Sequence, residues 1–312
     1  MNSLFPEAGT PGEYGMILSD YLQTLVMYII LGATGHIGSA VAQHLLDQQQ
    51  EITIITRSPN NAALWEKKGA VTAIADIRNT TALKNIFSKG KYLFLLNPPA
   101  SPHSDTTVEE LLTINSILEA VKDSPIEKIV AESTYGAQPG DNIGDVGTLY
   151  KLEQGLHKLD IPSCIVRAAY YMSNWDMCLE SAKNEHKLYS FFPPSFKLPM
   201  VAPEDIGKFA AGLLLDEKKN EGLYFIEGPE TYSPADVAAA FSHSLKQKVE
   251  PVEIPRPEWI DEMTGMGFSD QAALSFSNMT ALVLTETLTT PTDPIRGNTS
   301  LQEYISAIAA AR

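Results

Sequence analysis

The sequence predicts a doubly wound α/β fold: a parallel sheet covered on both faces by helices, followed by a smaller, mainly helical C-terminal lobe. Three observations predict it. An apolar run, Tyr28-Ile29-Ile30-Leu31, stops at a glycine-rich turn, Gly32-Ala33-Thr34-Gly35-His36-Ile37-Gly38, and an amphipathic segment follows at once. From there to Arg167, short apolar runs alternate with helical patterns. Those runs are apolar throughout, not at every second position, as in strands buried on both faces.

The elements follow in order. Strands are expected at 28–31, 51–56, 70–75, 92–96, 128–132 and 163–167. Helices are expected at 37–47, 62–68, 80–88, 107–122 and 149–158, two of them closed by Gly69 and Gly90. After Arg167 the alternation loosens into an aromatic, Met-containing stretch and then a proline-rich one. A helix at 204–215 and a strand at 223–226 resume the pattern. Ser233-Pro234-Ala235-Asp236 reads as a helix start, with an N-cap serine, proline at N1 and an acid at N3. A strand at 249–254, in the sheet or in the lobe, and helices at 257–263, 270–288 and 301–310 complete the chain. The resulting division is an extension at 1–26 outside the core, a nucleotide-binding domain at 27–228 with substrate-loop insertions at 170–200, and a lobe at 229–312.

The glycine turn carries the first chemistry. Gly32 allows a sharp turn, Gly35 leaves room for a diphosphate to reach backbone N–H groups, and Gly38 lets the helix lie close to the strand. Thr34, His36 and Ile37 complete the loop. The free N–H groups and the positive dipole end of the helix favour an anion. About 20 residues beyond such glycines, a site for NAD places an acid on the ribose 2′-OH. Here the second strand ends in Thr56-Arg57-Ser58, with no acid. Arg57 and Ser58 suit a 2′-phosphate and favour NADP(H) over NAD(H); a solvated surface arginine is the other reading.

Later strand ends add candidates. Asp76 and Ile77 stand where adenine would lie, unless Asp76 only caps the next helix. Asn97 and Pro98 hold the backbone beside the nicotinamide ribose, or form a plain proline turn. Short-chain dehydrogenases place a Ser after the fifth strand and Tyr-x-x-x-Lys on the next helix, the lysine lowering the tyrosine pKa. This chain has Ser133 and Tyr150, but Gln154 in the lysine position. Glutamine can hydrogen-bond a ribose but carries no charge to acidify a phenol. Ser133 and Tyr150 are thus the candidate catalytic pair, with a packing or substrate-lining role as the alternative for Tyr150. Tyr135, Tyr170, Tyr171, Asn174 and Trp175 lie past strand ends and form a candidate substrate wall, or else a seam between lobes.

Bulk properties exclude several classes. The chain has 312 residues, 44% apolar, with net charge −15. That charge argues against direct nucleic-acid binding. The two cysteines, Cys164 and Cys178, lack metal-like spacing and read as small buried hydrophobes. No run approaches the roughly 20 apolar residues of a membrane span, and no basic region precedes the first apolar patch, so cytoplasmic is the expectation. No metal is expected.

The glycine turn, Thr56-Arg57, Asn97-Pro98-Pro99, Ser133-Thr134-Tyr135-Gly136 and Arg167-Ala168-Ala169-Tyr170-Tyr171 together resemble the NmrA-like proteins, which are atypical short-chain dehydrogenase/reductases, over roughly residues 27–312. The resemblance implies an NADP-binding Rossmann fold with a variable substrate lobe. It also implies either of two activities. One is that of the bacterial NAD(P)H:quinone-oxidoreductase-like members, with hydride passing to a quinone-like or conjugated small molecule. The other is a non-catalytic redox sensor acting through a partner protein.

Overall fold

The computed structural model describes residues 27–216, 218, 221–285 and 291–311. The expected extension at 1–26 lies outside them. In chain order the elements begin β1 (Met27–Ile30), α1 (His36–Asp47), β2 (Glu51–Thr56), α2 (Pro59–Glu66), β3 (Val71–Ile74), α3 (Thr80–Phe87) and β4 (Tyr92–Leu95). Next come α4 (Thr106–Val121), β5 (Lys128–Thr134), α5 (Asp145–Leu156), β6 (Ser163–Ala168) and β7 (Tyr170–Tyr171). A 3₁₀ turn (Met172–Cys178), α6 (Leu179–Asn184), β8 (Lys187–Ser190), β9 (Leu198–Val201) and α7 (Pro203–Leu215) follow. The chain closes with β10 (Gly222–Glu227), β11 (Thr231–Tyr232), α8 (Pro234–Leu245), β12 (Glu250–Glu253), a short 3₁₀ turn (Arg256–Glu258), α9 (Trp259–Gly265), α10 (Asp270–Leu284), β13 (Ile295–Arg296) and α11 (Leu301–Ala311).

Eight strands form one sheet in the order β3-β2-β1-β4-β5-β6-β10-β13, every pair parallel. The strand order reverses between β1 and β4, which places a crevice at their carboxyl ends. Strand alternation splits the core in two. Tyr28, Ile30, Phe94, Val130 and Val166 face α1 and α7, whereas Ile29, Leu93, Ile129, Ala131 and Ile165 face α3, α4 and α5. Ile29, Ile30, Leu93 and Phe94 are fully buried, each contributing about 1.5–3 kcal/mol. At its opposite end β5 buries Lys128, whose ammonium donates to the carbonyls of Leu213, Asp216 and Lys218 at 2.6, 2.9 and 3.1 Å and so closes the C-terminus of α7.

The early elements lie where the hydrophobic pattern puts them, with two shifted starts. Helix α2 begins at Pro59, not near residue 62, because Ser58 caps it by accepting from the Asn61 N–H. Helix α5 begins at Asp145, not near residue 149, after Gly144 turns with φ +57°. The aromatic stretch after β6 carries β7, the 3₁₀ turn and α6, and the proline-rich stretch carries β8 and β9. The expected strand at 249–254 is β12, which pairs with β8 in the lobe and not with the main sheet. One core joins Met172, Trp175, Leu179, Leu188 and Met200 to Val237, Phe241, Leu301 and Ile305. Residues 170–200 therefore pack with the C-terminal lobe.

Candidate dinucleotide site and substrate crevice

The glycine turn is built as the spacing requires. Gly32 has φ +78°, and the Gly35 N–H returns to its carbonyl at 3.0 Å. A Cβ on Gly38 would lie 2.3 Å from the Gly32 oxygen, so only glycine lets α1 start this close to β1. A Cβ on Gly35 would meet only the Gly32 oxygen, at 3.6 Å; the space outside it is open. The first intrahelical bond runs from the Ser39 N–H to the Gly35 carbonyl. No side chain caps the helix, and its first turn holds no acid. Thr34, Gly35 and His36 are exposed, whereas Ile37 and Gly38 are buried. This bare, positively polarised helix end fits a diphosphate.

At the neighbouring strand ends, Arg57 is exposed and makes no hydrogen bond or ion pair among the described residues. Asp76 accepts the Arg78 N–H at 2.9 Å, and that bond, with the charges of Arg78 and Arg57, holds its carboxyl below the usual value. The cap of α3 is Asn79 and not Asp76. Ile77 packs against the core face of α3, α4 and α5. Asn97 is buried and accepts from Thr113 at 2.6 Å, which ties the Asn97-Pro98 exit to α4. Beside it, buried Glu110 accepts the Ala100 N–H and the Thr148 hydroxyl, and burial pushes its carboxyl up.

The candidate catalytic pair does not assemble. Ser133 is fully buried on the face toward α5, and its hydroxyl donates to Glu153 at 2.6 Å. Glu153 is held in turn by Arg167, whose Nε and Nη2 reach its two oxygens at 2.8 and 2.7 Å. Tyr150 is half-buried and Gln154 exposed on α5, and neither has a hydrogen-bond partner among the described residues.

The candidate substrate wall divides. Successive strand residues point to opposite faces, so Tyr170 and Tyr171 part company. Tyr170 packs tilted against Trp175 and edge-on to Phe192, with centroids 5.8 and 5.7 Å away, inside the lobe core. Trp175 is 3% exposed, so it fills the seam and does not line an open wall; its indole N–H has no partner among the described residues. Asn174 is exposed. Tyr135 donates to Glu227 at 3.0 Å, and Arg296 holds the other Glu227 oxygen at 2.7 Å. That makes Tyr135 a tie between β5, β10 and β13.

Tyr171 instead donates to Glu132, a buried residue on β5. Sequence reasoning passed over Glu132 as part of an apolar strand. The available signal was a carboxylate one residue before Ser133, at a strand's carboxyl end. Burial raises the Glu132 carboxyl to about 8, and the nearby Asp145 charge adds to the effect.

The lobe roofs this region. Ser269, the N-cap of α10, donates from its N–H to Pro102 O and from its hydroxyl to Ser104 O, both at 2.8 Å. Ser275 accepts the Gly144 N–H at 2.9 Å, and Asn278 donates to Asn142 O at 3.1 Å. Helix α10 thus clasps the loops leaving β4 and β5. Behind the glycine turn, Asp176 lies 3.8 Å from His36 and accepts the Tyr304 hydroxyl at 2.9 Å, linking turn and lobe.

Comparison with known proteins agrees with this architecture. The chain is 23% identical over 290 residues to an NAD(P)H azoreductase of Xenophilus azovorans, covering 91% of this chain and 99% of that one. The NADPH-dependent quinone oxidoreductase QOR2 of Escherichia coli, complexed with NADPH, has the same fold, with TM-score 0.76, 18% identity and coverage of 91% and 99%. So does the triphenylmethane reductase of Citrobacter sp. complexed with NADP(H), with TM-score 0.74, 18% identity and the same coverage. The NmrA-like family model matches residues 26–304. The chain is therefore a member of the NmrA-like family, built on the Rossmann-type doubly wound sheet that its glycine turn announces.

Proposed function

We propose that this protein is an oxidoreductase that uses NADP(H) in preference to NAD(H) and passes hydride to a quinone-like or other conjugated small molecule. The observation that carries this reading is the open, uncapped start of α1 over Gly35. The azoreductase and quinone oxidoreductase relatives support it. Gly32, Thr34, Gly35, His36, Ile37 and Gly38 would hold the diphosphate, and Asp76 and Ile77 the adenine end. Asn97 and Pro98 would flank the nicotinamide ribose, with Gln154 as a further polar contact. Exposed Arg57, at a strand end without an acid, supports binding of the 2′-phosphate; Ser58 adds its hydroxyl proton, since its lone pair serves α2.

Bound there, the reduced dinucleotide supplies the hydride. The chain's own residues orient it, shield it with the α10 roof, and leave Tyr150 and Tyr171 as the phenols nearest an acceptor in the crevice. A small organic acceptor, and not a nucleic acid, suits a chain of net charge −15. Titration with NADPH and NADH, followed by turnover with a panel of quinones and azo compounds, tests the reading. NADPH binding tighter than NADH binding, with saturable oxidation by an acceptor, is expected. Binding without turnover of any acceptor would overturn the enzymatic reading, and tighter NADH binding would overturn the cofactor preference.

A further inference from the structure

Reduction of a quinone or an azo group needs a proton as well as a hydride, and the usual source is missing. Gln154 replaces the charge that would acidify Tyr150, and Ser133 is committed to Glu153. Burial pushes the Tyr171 phenol up, but Tyr171 has an acid behind it that can refill it. Tyr171, partly exposed, donates its hydroxyl to Glu132, which is 4% exposed and has Val130 and Val166 as its neighbours in the sheet. We propose that Glu132 and Tyr171 form the proton-delivery pair of this enzyme, with Tyr171 the group nearest the acceptor and Glu132 the positioning residue and proton store behind it.

The inference rests on the oxidoreductase reading. The acceptor gains a hydride, with its two electrons, from the reduced dinucleotide, which becomes oxidised. In the neutral pair the Glu132 carboxyl O–H turns toward the Tyr171 oxygen and frees the phenol proton; the acceptor's heteroatom takes that proton as the Tyr171 O–H bond breaks, and the phenolate oxygen recovers a proton from the Glu132 carboxyl. The carboxylate left on Glu132 is reprotonated from water at the crevice mouth, where Asp145 is solvent-exposed.

Three features fit this role. The pair sits at the carboxyl ends of β5 and β6, beside the strands that carry the cofactor. Among the described residues no cation acts on Glu132: the groups acting on its charge are Tyr171 from β7 and Asp145 from α5, and Arg167 is occupied by Glu153 on the opposite face. Burial keeps its carboxyl protonated up to about pH 8, so a loaded acid is available at neutral pH.

The test compares two acceptors in the full-length protein. A quinone requires the proton, whereas a triphenylmethane dye cation takes a hydride alone to give a neutral product. Glu132→Gln keeps an acceptor for the Tyr171 hydroxyl but cannot supply a proton. The ratio of quinone to dye kcat is expected to fall about tenfold or more in E132Q and in Tyr171→Phe. The alkaline limb of the quinone kcat profile, expected in the unmutated protein, should vanish in E132Q. A purely structural role would slow both acceptors together, and an unchanged ratio overturns the proposal. Independently of turnover, infrared difference spectra of the protein without cofactor between pH 6 and 9 should show a protonated-carboxyl band that is lost on deprotonation and absent in E132Q. Lack of that band also overturns it. If the unmutated protein binds NADPH but reduces neither acceptor, the oxidoreductase reading falls, and this proposal with it.

Discussion

The Ser133 hydroxyl is spent on Glu153, 2.6 Å away, at the end of β5 where the sequence pattern suggests a catalytic serine. Glu153 in turn neutralises Arg167, so the three residues lock α5 to β5 and β6. Ser133→Ala is expected to cost about 1 kcal/mol of stability and to leave turnover intact. Glu153→Ala, which strands a largely buried guanidinium, should cost about 3–5 kcal/mol. Denaturant melts of both variants, read beside kcat, check this; a collapse of kcat in a well-folded S133A would return Ser133 to the chemistry.

Gly38 and Gly35 should fail differently when substituted. Gly38→Ala drives a Cβ into the Gly32 carbonyl, so the fold should lose about 1–3 kcal/mol together with NADPH binding. Gly35→Ala meets almost nothing, so the melting temperature should hold while NADPH affinity drops. Thermal shift measured with and without NADPH separates the two outcomes.

Arg57→Ala removes an exposed cation whose side chain makes no hydrogen bond or ion pair among the described residues. NADPH affinity should fall by roughly 10- to 100-fold, the value of a charge-assisted bond of about 1.5–3 kcal/mol, with NADH affinity little changed. Isothermal titration with both dinucleotides measures the difference, and equal losses would remove Arg57 from the 2′-phosphate.

Glu132 imprints a pH dependence on stability. Its folded-state value of about 8 lies above the ordinary 4.5, so the unfolded chain gives up the proton first. The stability of the neutral, buried form is complete below about pH 4.5 and is lost as pH rises to about 8. Across that window the unmutated protein should weaken relative to Glu132→Gln by up to about 1.4 kcal/mol per pH unit. Urea midpoints at pH 5, 7 and 9 test it; parallel curves for the two proteins would refute it.

Lys128→Met strips three carbonyls at the end of α7 of their shared donor. A loss of about 3 kcal/mol or more is expected, with NADPH affinity preserved because the site lies at the other end of the sheet. Chemical denaturation together with a binding titration reads both quantities.

The sheet and the nucleotide turn were legible in the sequence because they obey local rules. Continuous apolar strands, glycine at a positive φ and helix caps each act within a few residues. The crevice was legible only in part. Ser133, Tyr150 and Gln154 could be found by spacing, but spacing does not reveal that Ser133 points toward Glu153. Tyr170 and Tyr171 read alike in sequence, yet strand alternation sends one into the lobe core and the other to Glu132. A buried carboxylate inside an apolar strand acquires meaning only from the side chain facing it, and that partner is 39 residues away. The lobe was the least legible, because its core is assembled from segments that lie far apart in the chain.

Strand β13 carries a consequence for how this enzyme can be diversified. After building α8 to α10, the chain returns to the far edge of the main sheet, where Ile295 and Arg296 pair with Ile226 and Glu227. There the Gly297 N–H meets the Glu227 carbonyl at 2.6 Å. The polypeptide then leaves again to form α11, which packs under the 3₁₀ turn through Tyr304 and Asp176. A graft that exchanged residues 229–312 with a relative would break a sheet edge, a carboxylate–guanidinium pair and a shared core at once. The lobe of this scaffold is thus better altered by point changes than by swapping it as a cassette.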